Sequence, residues 1–265
     1  MNRIITLTSD FGLRDPWVGA MKGVILSIVH GARMVDITHE IAPGAILDAS
    51  FVIGEVFDTY PEGTVHLVVV DPGVGTERRG IVIEAAGRIF IGPDNGVFSS
   101  IINLPEFSQA IHLTNEKFFR HPVSTTFHGR DVFAPVAAHI INGIALSELG
   151  EPIDDPVTIE KAKTVTEDGV IKGEVVYVDR FGNLITNISR KELAELGTDA
   201  ELTISIKGHV IDGILPSYGH GAKALIALIN SGARLEIAIN EESASEAIYS
   251  GEGTPVEVRI RREVE

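Results

Sequence analysis

The chain has no cysteine among its 265 residues. That removes disulfides, thiolate nucleophiles, iron–sulfur clusters and sulfur-ligated zinc, so any metal would need His and carboxylate ligands. Positive charge is scarce too: 22 Lys and Arg stand against 37 Asp and Glu, a formal net charge of −15. A nucleic acid or an anionic membrane would have to oppose that field, so neither is expected as a partner. A small substrate is expected instead, and a cationic one would not be repelled. No apolar run approaches the roughly 20 residues of a membrane span. The opening Met1-Asn2-Arg3-Ile4-Ile5-Thr6-Leu7-Thr8 reaches Asp10 too soon for a signal peptide, and a cytoplasmic location is expected. What remains, 44% apolar and 22% charged residues, is the balance of a globular protein with one large domain or two ordinary ones.

The first part of the chain alternates strand and helix patterns. Ile4–Thr8 is a short β-rich run that stops at Ser9-Asp10-Phe11-Gly12. A helix signature follows: Asp15 as a cap, Pro16 in the first turn, then Trp17, Val18, Met21, Val24, Ile25, Ile28 and Val29 at helical spacing. Gly19, Ala20, Gly23 and Ser27 form a second, small-residue face suited to close packing against a neighbour. Met34–Ile37 reads as a strand, Ala45–Tyr60 as a helix and Thr64–Val70 as a buried strand, giving βαβαβ. Ile81–Ala85 and Arg88–Ile91 flank Ala86-Gly87 as a hairpin, and Val132–Gly143 is a further helix. From Gly150 to Pro156 prolines and acids mark an inter-domain connection, after which the pattern is mostly β. The expected fold is therefore α/β: an N-terminal domain over 1–155, with a central, mainly parallel sheet flanked by helices, and a smaller C-terminal β-barrel-like domain over 165–265. Ligands of such sheets bind at the carboxyl ends of strands, where Asp10 and Asp71 fall.

Several segments carry groups suited to chemistry, each with a plainer reading beside it. Asp71-Pro72-Gly73-Val74-Gly75-Thr76-Glu77-Arg78-Arg79 follows the buried strand and is either a tight turn with a local Asp–Arg pair or a ligand loop; it lacks the Gly-Lys-Ser/Thr ending of a phosphate loop. Thr125-Thr126-Phe127-His128-Gly129-Arg130-Asp131 gathers polar groups at a helix start, with Asp131 read as an N-cap and His128 as either structural or catalytic. Asp10 is a turn carboxylate or a ribose-holding one. Asp179-Arg180-Phe181-Gly182-Asn183 and Asn230-Ser231-Gly232 are hairpin turns, or an aromatic and an amide arranged to stack on and hydrogen-bond a purine.

Taken together, five segments in order resemble the adenosine-forming S-adenosylmethionine hydrolases, also called S-adenosylmethionine hydroxide adenosyltransferases, which are related to fluorinating and chlorinating enzymes. They are Thr8-Ser9-Asp10-Phe11-Gly12, Val70 to Arg79, Pro93-Asp94-Asn95-Gly96, Thr126 to Asp131, and Asp179 to Asn183. The resemblance implies hydrolysis of S-adenosyl-L-methionine to adenosine and L-methionine, without cofactor or metal. It implies a homotrimer with active sites at subunit interfaces, between the N-terminal domain of one subunit and the C-terminal domain of the next. It places the catalytic groups on Asp71, Arg78 and His128, and substrate contacts on Asp10, Asn95, Asp179, Phe181, Asn183 and Ser231. Arg79 adjoins Arg78, so the arginine at the site is open at this point. The halogenating relatives lack an aspartate and a histidine at the places of Asp71 and His128, which favours water over halide here.

The chemistry this implies is displacement at ribose C5′. The sulfonium departs as a neutral thioether, so no acid is needed at sulfur, while water must be aligned and relieved of a proton by His128 or Asp71. Two other readings remain open. Asp10, Asp71, His128 and Asp131 could ligate a divalent ion, or Asp10, Phe181 and Asn183 could serve a protein that only captures the nucleoside.

Overall fold

The structure is a computed structural model, and it describes residues 4–160, 162–221 and 223–261. The chain ends, 1–3 and 262–265, which the two expected domains take in, lie outside the described residues. Contacts divide the chain into two compact units between residues 160 and 161.

In the first unit β1 (Ile4–Ser9), α1 (Trp17–Ile28), β2 (Arg33–Thr38), α2 (Ile46–Val56) and β3 (Val65–Val69) form the expected βαβαβ. They are followed by β4 (Gly80–Ala85), β5 (Arg88–Pro93), α3 (Ser99–Ile102), β6 (Phe107–Leu113), α4 (Ala134–Ile141) and β7 (Gly150–Ile153). The seven-stranded sheet runs β2-β1-β3-β5-β4-β6-β7. Its β2-β1-β3-β5 half is parallel, while β4, β6 and β7 join antiparallel. The sheet is thus mixed: the tight turn at Ala86-Gly87, with both residues at positive φ, returns β5 antiparallel to β4. One face packs Ile5, Leu7, Met21, Ile25, Val69 and Phe133 with α1 and α4; the other packs Val68, Ile83, Phe90 and Phe98 with α2 and α3.

Four local expectations change. Pro16 rather than Asp15 occupies the N-cap of α1, with no side-chain cap bond. Gly19 and Gly23 have open space where a Cβ would stand, so no element of the described chain packs against these two glycines, while Ala20 of the same face packs on the core. The helix expected over Val132–Gly143 begins as a π-helical turn, Gly129–Phe133, before α4. The connection read from Gly150 is instead β7, hydrogen-bonded to β6, because an edge strand tolerates the proline whose missing N–H would break a central one.

The second unit comprises β8 (Val165–Glu167), β9 (Val170–Val178), β10 (Leu184–Ser189), α5 (Arg190–Leu196), β11 (Leu202–Ile206), β12 (His209–Asp212), β13 (Leu225–Ile229), β14 (Arg234–Ile239), α6 (Ala244–Ala247) and β15 (Pro255–Ile260). Its antiparallel sheet runs β12-β11-β15-β9-β10-β14-β13, with β8 on β9. Leu215 N–H bonds Ala227 O at 2.8 Å, which brings the chain after β12 back to β13 and nearly closes a barrel. Val175, Leu184, Ile188, Leu202, Ile204, Leu235 and Val258 fill its interior. Ser189 and Glu192 form a capping box that starts α5 at the end of β10.

Candidate active site

Ser9 and Val69 are register partners on adjacent parallel strands, so β1 and β3 release Asp10 and the Val70-Asp71 pair side by side at their carboxyl ends. The chain then turns: Val74 N–H bonds Asp71 O at 3.2 Å, and Thr76 bonds Gly73 O through both N–H and hydroxyl. Gly75 has φ +77, and a Cβ there would stand 2.2 Å from Thr125 O, so only glycine lets this loop lie against the segment that carries His128.

That approach assembles a compact polar group. Arg78 donates Nε to Asp71 Oδ1 at 2.9 Å and Nη2 to Asp71 Oδ2 at 2.5 Å, a bidentate pair, and Nη2 also lies 2.8 Å from His128 Nδ1. The Asp71 and Arg78 side chains are 5% and 11% exposed, and the guanidinium sits 5.3 Å from the Phe133 ring centre. A guanidinium only donates, so Nδ1 of His128 is the acceptor and the ring proton is on Nε2. Burial and the charge of Arg78 push the His128 imidazole below its ordinary range, against the opposing pull of Asp71 and Asp131. The ring is therefore neutral at pH 7 and presents an N–H.

Arg79 takes another path. Its Nε bonds Asp94 Oδ2 at 2.7 Å, and its other nitrogens bond the carboxylate and carbonyl of Asp155. Of the two arginines, Arg78 is the one that joins Asp71 to His128. Asn95 Nδ2 donates to Val70 O at 2.9 Å, immediately before Asp71, and its Oδ1 accepts from Val97 N–H, so its side chain braces the loop. Asp10 Oδ2 accepts from Gly44 N–H at 2.9 Å, beside Pro72. Asp131 is no helix cap. Fully buried, it accepts from Arg120, Arg130 and the Ser124 N–H; burial works to raise its pKa, but these bonds outweigh that and hold it below the usual carboxylate range.

The second unit contains a cavity of about 530 Å³ lined by Asp179, Phe181, Asn183, Tyr218 and the 239–243 segment. Asp179 builds its rim: Oδ1 accepts from the N–H groups of Phe181 and Asn183, each at 2.9 Å, and Oδ2 from Asn183 Nδ2 at 2.9 Å. This turn holds the Asn183 amide at 5% exposure while leaving Phe181 76% exposed. An aromatic ring standing in solvent beside a fixed amide can stack on a flat base. Opposite, the Tyr218 hydroxyl donates to Glu236 Oε1 at 2.6 Å. Burial and nearby Asp179 raise the pKa of Glu236, which lies behind Tyr218, against that hydrogen bond, while the acidic side chains that line the cavity itself are Asp179, Glu241 and Glu242.

The sequence matches the model of the SAM hydroxide adenosyltransferase N-terminal domain over residues 5–150 and that of the C-terminal domain over residues 173–257. The chain belongs to this family. Among curated relatives, it is 38% identical to an (R)-S-adenosyl-L-methionine hydrolase of Methanocaldococcus jannaschii over 92% of this chain and 91% of that one. It is 36% identical to one of Thermus thermophilus over 96% and 98%. A fluorinase of an Actinoplanes strain is more distant, at 29% over 81% and 80%. Among solved structures, a conserved protein of Thermotoga maritima superposes with TM-score 0.90 at 35% identity, covering 97% of this chain and 99% of that one.

Within this member of the SAM hydroxide adenosyltransferase family, Asp71, Arg78 and His128 meet directly, with Asp10 on the loop of the neighbouring strand and Asn95 on a separate loop that bonds Val70. Asp179, Phe181 and Asn183 share the cavity. Ser231, exposed at the tip of the β13–β14 hairpin, is not among the residues that line it. The metal reading fits poorly, because Asp71 and His128 are bridged by a fixed cation and Asp131 is held by two more. Among the described residues no three His, Asp or Glu side chains cluster to hold an ion. The sequence reading missed Tyr218, which lies outside any periodic run, and His39, which the Asp36-Ile37-Thr38-His39 end of a parallel strand could have suggested.

Proposed function

We propose that the protein hydrolyses S-adenosyl-L-methionine to adenosine and L-methionine by attack of water on ribose C5′. The observation that carries this is the Asp71–Arg78–His128 cluster, built on paired strand ends in a chain of this family. The relatives' names specify the (R) configuration, and we extend that to this protein. The Nε2–H of His128 aligns the water, Arg78 stabilises negative charge developing on its oxygen, and Asp71 accepts the proton. As the C5′–O bond forms and the C5′–S bond breaks, the attacking water becomes strongly acidic, so a carboxylate suffices as base; the electron pair leaves with the thioether of methionine. Asp10 holds the ribose hydroxyls, Phe181 and Asn183 hold the adenine, and Asp179 keeps their turn in shape.

No cofactor takes part in this scheme. The assembly is a homotrimer in which the cluster of one subunit meets the cavity of the next; Leu13 and Trp17, 70% and 45% exposed, and the open Gly19–Gly23 face of α1 supply apolar contact surface. Among the described residues no helix is long and apolar enough to cross a membrane, and we place the enzyme in the cytoplasm with its charged substrate.

The test is incubation of pure protein with each sulfonium epimer in ¹⁸O-water, with and without chelator and halide. Adenosine carrying ¹⁸O at the 5′-hydroxyl, from the (R) epimer and regardless of chelator, is expected. Binding without product would make it a capture protein, and an adenosyl halide would make it a halogenating enzyme. Sedimentation should give three times the subunit mass.

A further inference from the structure

The loop that carries Asp10 is gripped from behind by His39, just past β2. The ring Nδ1 lies 2.7 Å from Ser9 Oγ, and the His39 carbonyl accepts from Gly12 N–H at 2.7 Å, so one residue holds the loop on both sides of Asp10. Ser9 Oγ also accepts from Phe11 N–H at 3.4 Å. Behind the ring, Nε2 stands 3.1 Å from Asp36 Oδ1, bent away from the N–H direction, and Asp36 Oδ2 accepts from Lys22 Nζ at 2.6 Å. An acceptor at Asp36 selects the tautomer protonated on Nε2, so Nδ1 accepts from the Ser9 hydroxyl, whose oxygen remains an acceptor for Phe11.

Serine, histidine and aspartate in a row invite comparison with a nucleophilic triad, but Ser9 and His39 are 0% and 3% exposed and no acyl group can reach Ser9 Oγ. What the row fixes is backbone. Gly12 has φ +63, and the turn it makes, together with the Gly44 N–H bond to Asp10 Oδ2, sets where the Asp10 carboxylate points.

We propose that His39 is a positioning residue for ribose recognition: by clamping Ser9 and Gly12 it orients the Asp10 carboxylate so that both oxygens can meet the vicinal hydroxyls. This rests on the function proposed above, in which Asp10 grips the ribose. A carboxylate turned away keeps one of the two hydrogen bonds at best, and loss of one charge-assisted bond is worth roughly a tenfold to hundredfold change in affinity.

The experiment compares wild type, H39A, H39N, S9A, D10A and D10A/H39A on S-adenosylmethionine and on its 2′- and 3′-deoxy analogues. Wild type should prefer the intact ribose and D10A should lose that preference. H39A should lose it too, with a rise in KM of roughly tenfold and a smaller change in kcat. H39N, whose amide can take the place of Nδ1, should recover part of it, and D10A/H39A should be no worse than D10A. Should H39A fail to fold, S9A removes the same clamp and carries the comparison. Wild-type preference retained in H39A or S9A, or additive losses in the double variant, overturns the role of His39 alone. A wild type that makes no adenosine overturns the proposed function and this role with it.

Discussion

Arg78 meets Asp71 through two hydrogen bonds, Nε to Oδ1 at 2.9 Å and Nη2 to Oδ2 at 2.5 Å, while the adjacent Arg79 turns to Asp94 and Asp155. Neighbours in sequence thus do separate work. Lysine keeps the charge but cannot span both oxygens and His128 together. R78K should lower kcat by roughly 10²- to 10³-fold, the scale of losing a preorganised charge stabiliser. R79K should instead leave kcat within a few-fold of wild type. Equal losses in the two variants would show that the cluster has been misassigned.

H128A should lower turnover by a large factor, roughly 10²-fold or more, while substrate affinity by calorimetry stays near wild type. Turnover at the wild-type level in H128A would remove His128 from the mechanism.

The protonation of His128 should answer to its two neighbours with opposite signs. Burial and Arg78 lower its pKa, whereas Asp71 raises it. A charged imidazole would turn an N–H toward the guanidinium, so activity should fall at low pH, with an acid limb below the ordinary histidine value. By NMR titration of the ring, R78Q should move His128 upward and D71N should move it further down. Shifts in the reverse directions would contradict the cluster's geometry.

Phe181 makes a simpler prediction. With its ring 76% exposed, little packing depends on it, so F181A should leave the melting temperature nearly unchanged. The loss should appear in KM, by roughly 5- to 100-fold, if one base stacks on the ring at about 1–3 kcal/mol. A fall in stability without a rise in KM would make the ring structural.

His66, fully buried on β3, bonds Thr6 Oγ1 through Nδ1 at 2.8 Å and stacks on Phe90 at 4.9 Å. Burial, with the charge of Arg88, lowers its pKa to about 3. The unfolded chain takes up this proton below about 6.5 while the folded chain refuses it, so stability falls as pH drops from there toward 3. Between pH 6.5 and 5 this single group should remove about 2 kcal/mol. Urea unfolding at several pH values should show it, and H66N, which can keep an acceptor for Thr6, should flatten the slope.

Much of the fold was legible because strand and helix periods are local. The βαβαβ opening, the Ala86-Gly87 hairpin and the β-rich second unit all follow from side-chain alternation and glycine placement. The same local reading erred where a side chain had a distant partner or none. Asp131 reads as a cap until Arg120 is brought to it. The turn at Asn183 carries both readings, structural or purine-binding, in the sequence, and only the fold around it shows a cavity with Tyr218, 35 positions on.

The sequence by itself determined that Asp71 and Asp10 end strands, that glycines flank both, and that the second unit has an aromatic and an amide in one turn. Tertiary structure alone joined Arg78 rather than Arg79 to Asp71 and His128, put the proton of His128 on Nε2 and set His39 behind Asp10. The physical reason is range. Backbone periodicity is written within a few residues, whereas the bond from Arg78 to His128 spans 50 positions and exists only because Gly75, lacking a Cβ, lets one loop lie against the other.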